Sequence, residues 1–211
     1  IVGASSLVGA VPKYKQGLVN LKTALIFGIP AIAAVFATRK FIVPQIPKEI
    51  FSVGEFIITK SILLMVLFAV LMVFASISMI KGKKDIQEDV SKKQKFNYPM
   101  ILVEGTVVGI LTGLVGAGGG FLIIPALVIF SKLPMKQAVG TSLLIIAAKS
   151  LIGFTGDLSN YIMDWKLLLT VTGLAIVGIF IGDFLSKKIH GNKLKKGFGW
   201  FVLVMGTYII V

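Results

Sequence analysis

The sequence predicts an all-α polytopic membrane protein, and three observations carry that expectation. Hydrophobic residues fill 56% of the 211 positions and mean hydropathy is +0.94, well beyond what a soluble core requires. Apolar runs long enough to cross a bilayer recur, as over 57–80, where Lys60 near the start is the only charge. Most of the 22 basic residues lie between such runs, as in membrane proteins whose loops face anionic lipid.

The same distribution argues against a nucleic-acid partner, although the formal charge is +13. Arg39 is the only arginine, and the lysines lack the array of interleaved aromatic residues that a base-stacking platform needs. With no cysteine and one histidine, His190, neither a thiolate nor a His-rich metal site can be built, and no cofactor is expected. No Ser/His, paired-Asp or HExxH constellation occurs, so an enzyme is not expected. The chain opens at Ile1 inside an apolar run without a basic n-region. The expectation is therefore a chain lacking its natural start rather than one with a signal peptide.

Polar breaks divide the apolar runs into segments at 1–11, 18–38, 56–80, 101–131, 138–156, 165–186 and 198–211. The stretch 91–98 is the one connection polar and long enough to link two halves. An internal repeat appears at an offset of 144 residues. Ser6-Leu7-Val8-Gly9 falls on Ser150-Leu151-Ile152-Gly153, and Asn20-Leu21-Lys22 on Asp164-Trp165-Lys166. The division expected is a first repeat over 1–95, missing its N-terminal part, and a second over 96–211.

Segment 101–131 is too long for one straight span: its 31 residues would make a helix of about 46 Å, against a hydrocarbon core of about 30 Å. Its middle holds Gly116, Gly118, Gly119 and Gly120, each costing a helix interior about 1 kcal/mol. Two half-helices with a break at the glycines are expected. If every segment crosses, the loop cations divide ten against ten; if 101–131 enters and leaves by one face, they divide sixteen against four. The re-entrant arrangement restores the positive-inside asymmetry and makes the repeats inverted, with a broken glycine-rich segment in each. It also places the Lys-rich loops 81–95 and 187–196 in the cytoplasm.

A half-helix starting after Gly120 would aim unpaired N–H groups and its positive dipole end into the protein, an arrangement that attracts anions. Pro125 suits the first turns of such a helix, where its missing N–H costs nothing. The alternative for the clustered glycines is close packing, which is the expected role of Gly105, Gly109 and Gly113 at four-residue spacing. Thr141 and Ser142 near the next helix start, and Ser150 within that helix, offer hydroxyl donors, or else cap or bond back to their own helix. Lys149 lies deep in an apolar run and is a candidate substrate contact, or else pairs with Glu104 or reaches the interface. The first repeat would contribute Ser5 and Ser6. Glu104 and Asp183 are candidates for coupling to a proton or sodium gradient. Trp165, Tyr161 and Trp200 fit an interfacial belt.

Together these residues resemble the TauE/SafE sulfite exporter family of bacterial membrane proteins. The resemblance lies in GLVGAGGGFLIIPALV at 113–128, then LPMKQAVGTSL at 133–143, then Ser-x-x-Gly and an Asp-Trp-Lys helix start. It covers the second repeat well and the latter half of the first. Membership implies a duplicated four-segment unit in the bacterial inner membrane, moving small sulfur-containing anions such as sulfite or sulfonates with an ion gradient. The positions matching the family pattern are Gly116, Gly118, Gly119, Gly120, Pro125, Thr141 and Ser142. Lys149 departs from it, since a hydroxyl residue often precedes the serine. The expected function is a secondary transporter for a small anion working by alternating access around a midplane site. A passive anion channel and a non-transporting scaffold are the alternatives.

Overall fold

A computed structural model describes residues 1–47, 49–53, 56–81, 98–115, 120–157 and 164–210. Gly116, Gly118 and Gly119 lie outside the described residues, as do Tyr161 and 91–97 of the expected linker. Among the described residues eight α-helices follow in order: α1 (Val2–Lys15), α2 (Leu21–Ala37), α3 (Lys60–Lys81), α4 (Tyr98–Val115), α5 (Gly120–Ile129), α6 (Met135–Asp157), α7 (Trp165–Lys187) and α8 (Gly191–Ile210). A π-helical stretch (Thr38–Ile42) and a 3-10 turn (Val43–Gln45) extend α2. The spans Leu21–Gln45, Lys60–Lys81, Met135–Ile152 and Trp165–Lys187 are long and apolar enough to cross a membrane. The protein is an all-α polytopic membrane protein.

A short hairpin interrupts the helices. Strand β1 (Glu49–Val53) pairs antiparallel with β2 (Phe56–Thr59), so the apolar run expected over 56–80 begins as a strand and turns helical at Lys60. Phe56-Ile57-Ile58-Thr59 is rich in the β-branched and aromatic residues that favour strands, and hydropathy alone does not separate the two states. The last helix begins earlier than its apolar run: Leu194 and Phe198 pack on the core and hold 191–197 helical despite three lysines.

Two alike helix caps stand at the offset of 144 residues read from the sequence. Asn20 caps α2 by accepting from Thr23 N at 3.0 Å, and Asp164 caps α7 by accepting from Leu167 N at 3.1 Å. Both caps have extended backbones, as helix N-caps require. Asn20→Ala is expected to cost about 1 kcal/mol of stability, read as a lower melting temperature in detergent. An unchanged value would remove the cap from the account of where α2 starts.

Glycines set the closest helix contact. Added Cβ atoms would drive Gly105 into the Phe27 carbonyl, Gly109 to 2.5 Å from the Ala31 carbonyl, and Gly113 to 2.8 Å from Thr38 Cβ. Contacts advancing together from Phe27 to Thr38 and from Gly105 to Gly113 mean that α2 and α4 run parallel along the Gly-x3-Gly-x3-Gly stripe. Helix α1 runs antiparallel to α6, with Gly3 on Ser150 and Gly9 on Leu143. Helices α3 and α8 are antiparallel as well, with Gly199 on Met79 and Gly206 on Met72.

The chain doubles back between α4 and α5. Ser131 Oγ, just past the end of α5, donates to Glu104 Oε2 in the second turn of α4 at 2.7 Å. A hydrogen bond across 27 residues brings the two ends of this segment to one level. The pairings gather Lys13, Lys81, Ser131 and Lys187 at one end of the bundle, and Arg39 and Trp165 at the other.

The core is held by Phe27, Met72, Leu127 and Met135, each almost fully buried. Helix α7 differs: none of its spanning window is buried, and Leu174, Phe180 and Phe184 are each more than half exposed. A continuous apolar surface of this kind belongs in lipid or against another helix, not in water.

Candidate functional site

Helices α1, α5, α6 and α7 border a partly open cavity of about 650 Å³ toward the Arg39 end of the bundle. Helix α5 contributes its N-terminal residue, Gly120. The first N–H groups of a helix lack internal acceptors, so this end carries partial positive charge. A Cβ at Gly120 would come within 3.1 Å of Ile146 Cδ1, a small crowding that a side-chain tip can relieve. Helix α6 contributes Lys149 and Ser150, and α1 contributes Ser6.

Lys149 sits mid-helix, and its Nζ donates to Thr112 Oγ1 at 3.3 Å. Thr112 in turn donates to the Gly109 carbonyl at 3.2 Å. Its proton is therefore committed to the backbone and its lone pairs face the ammonium, which fixes the lysine head beside the cavity. The glycine stripe and the site are thus connected: close approach of α4 to α2 sets the height at which Thr112 meets Lys149.

The structure brings together Gly120, Lys149, Ser150 and Ser6, and among the described residues it places the other candidates elsewhere. Ser5 is buried and donates to Val2 O at 3.2 Å. Ser142 is buried and donates to Val139 O at 2.9 Å. Thr141 Oγ1 accepts from Asn20 N at 3.0 Å, holding the turn before α2 against α6. Glu104 lies at the base of the α4–α5 hairpin. Asp183 lies at the Lys-rich end, 2.5 Å from Lys13 and 3.1 Å from Lys187. Pro125 is the sixth residue of α5, because the helix begins at Gly120 itself. It lies beyond the first four positions expected, and the Phe121 carbonyl accordingly has no i+4 donor.

Sequence reasoning counted Arg39 as a loop cation, but the structure places it on the cavity wall. The signal available was its position inside the apolar span Leu21–Gln45. It stands in the π-helical stretch Thr38–Ile42, closed by Val43 N–H donating to the Thr38 carbonyl. Such insertions are frequent at functional sites.

Residues 1–209 match the family model for the sulfite exporter TauE/SafE. The chain belongs to this family. It is 26% identical over 215 residues to a "Probable membrane transporter protein" of Xylella fastidiosa strain 9a5c, covering 99% of this chain and 76% of that protein. It is 33% identical over 117 residues to "Probable membrane transporter protein MJ0441" of Methanocaldococcus jannaschii, covering 53% of this chain and 44% of that one. It is 27% identical over 158 residues to "Probable membrane transporter protein YunE" of Bacillus subtilis, covering 68% and 58% respectively. The last two matches therefore span less than two thirds of those relatives. No solved structure matches. As a TauE/SafE member with several spanning helices, the chain is a multi-pass membrane transporter protein.

Proposed function

We propose that this TauE/SafE chain moves a small anion, sulfur-containing in the family's manner, by secondary-active alternating access around the Gly120–Lys149 cavity. One observation carries the reading: a mid-helix cation and Gly120, the first residue of α5, line the same cavity, with Ser6 and Ser150 beside them. An intramembrane cation is costly unless a partner or substrate uses it. A fixed dipole end stabilises an anion without adding a full charge that would trap it.

The doubled-back α4–α5 segment supports a re-entrant hairpin and an inverted second repeat. In that topology the Lys-rich end of the bundle faces the cytoplasm of a bacterial inner membrane, following the charge asymmetry. Coupling to a proton falls most naturally to Glu104, which is buried and has one oxygen without a hydrogen-bond partner among the described residues; Asp183 is already committed to two lysines.

Flux of radiolabelled or sulfur-detected anions into proteoliposomes tests the reading. Lys149→Met is expected to lower saturable anion flux by about 10-fold or more, the scale of losing one charge-assisted contact, while the protein still folds. Undiminished flux in that variant would remove Lys149 from the site. Current that rises linearly with voltage and concentration would replace the transporter by a channel.

A further inference from the structure

The cavity has a second fixed cation on its wall, and this bears on the kind of anion it accepts. Arg39 and Lys149 come from different helices, line the same space, and lie within Coulombic reach of each other. Two like charges beside a low-dielectric cavity repel, and an anion facing both removes that repulsion as well as gaining two attractions. The guanidinium also presents a planar fork that suits carboxylate or sulfonate oxygens.

Apart from Ser6, Ser150 and Thr172, the remainder of the wall is apolar, formed by Ile124, Ile146, Phe154, Leu169 and Phe198 among others. The volume of about 650 Å³ falls within the roughly 300–1,000 Å³ typical of sites for organic ligands. A bare oxyanion would leave most of this lining without a partner. A short hydrocarbon with an acidic group at each end uses both cations and covers the apolar wall between them.

We infer that Arg39 is a specificity-determining residue that, with Lys149, selects an organic anion carrying two acidic groups over one carrying a single group. This rests on the transport site proposed above. The π-helical stretch is the backbone feature that serves it, turning Arg39 toward the cavity while Thr38 remains packed on Gly113.

Calorimetric binding to the purified full chain in nanodiscs tests the inference, using ethanesulfonate against ethane-1,2-disulfonate and propionate against succinate. The wild type should prefer the member of each pair with two acidic groups. Arg39→Gln should lose about 10- to 100-fold in affinity for that member, the loss of one charged hydrogen-bond partner, and change little toward the other. Arg39→Lys keeps the charge and should keep the preference, which separates selection from any folding defect. Lys149→Met should weaken all four ligands. Equal losses for both members of each pair in Arg39→Gln, or a wild type without preference, overturns the role of Arg39. Failure of the wild type to bind any of the four overturns the site itself.

Discussion

Gly109→Ala is expected to lower the melting temperature and yield of folded protein sharply, whereas Gly178→Ala, in an equally apolar helix, should be close to neutral. The contrast follows from what each new methyl meets. At Gly109 it would lie 2.5 Å from the Ala31 carbonyl oxygen, 2.8 Å from Ala34 Cβ and 2.9 Å from Ala31 Cα. Two of these are backbone atoms, which cannot rotate aside, so α2 and α4 must separate. Over-packing costs about 1–3 kcal/mol and more where the backbone must move. Separation also forfeits the dispersion contacts that drive helix association in lipid, where no hydrophobic force favours it. At Gly178 the new methyl would meet none of the described residues of other elements within 4 Å. Fluorescence-detected size exclusion of the heated protein in detergent reads both variants. Equal stability in the two would mean that the stripe does not fix the helix spacing. Because Thr112 lies on the same helix, Gly109→Ala should also displace the partner of Lys149 and depress transport in whatever fraction stays folded.

The stripe was legible because its signal is local. Gly105, Gly109 and Gly113 stand one helical turn apart in an apolar run, and only close packing uses that spacing. The helix starts at Leu21 and Trp165 were legible for a similar reason, since Asn20 and Asp164 carry acceptors that reach three residues ahead. The identity of the second cation was not. Whether Arg39 faces a loop or a cavity depends on a π-helical insertion and on where α6 places Lys149, and neither is written within a few residues of Arg39. Thr141 and Ser142 show the reverse limit. Their hydroxyls suit an oxyanion, but a backbone group close by takes each of them: Asn20 N–H for Thr141 and the Val139 carbonyl for Ser142. Strand β2 was missed because an apolar run has no inherent period until neighbours choose one.

Asp183→Asn is expected to destabilise the protein more than Lys13→Met, although each removes one half of the same ion pair. Lys13 is 7% exposed and has Asp183 at 2.5 Å and the Ser186 hydroxyl at 3.5 Å. Loss of the carboxylate charge leaves a buried ammonium with neutral contacts in place of its counter-ion, a situation that costs on the order of 3 kcal/mol. Loss of the lysine leaves Asp183 still 3.1 Å from Lys187, and that lysine is well exposed and free to adjust. The pair ties the end of α1 to the end of α7, a helix whose spanning window has no fully buried residue and whose remaining hold on α1 is half-exposed packing such as Ile179 on Gly9. In the double variant Lys13→Met/Asp183→Asn the buried charge is gone along with its partner, and stability should return most of the way toward the wild type. A double-mutant cycle on melting temperatures measures the coupling directly. Additive losses, or a larger loss for Lys13→Met than for Asp183→Asn, would show that desolvation of Lys13 is not what the carboxylate offsets.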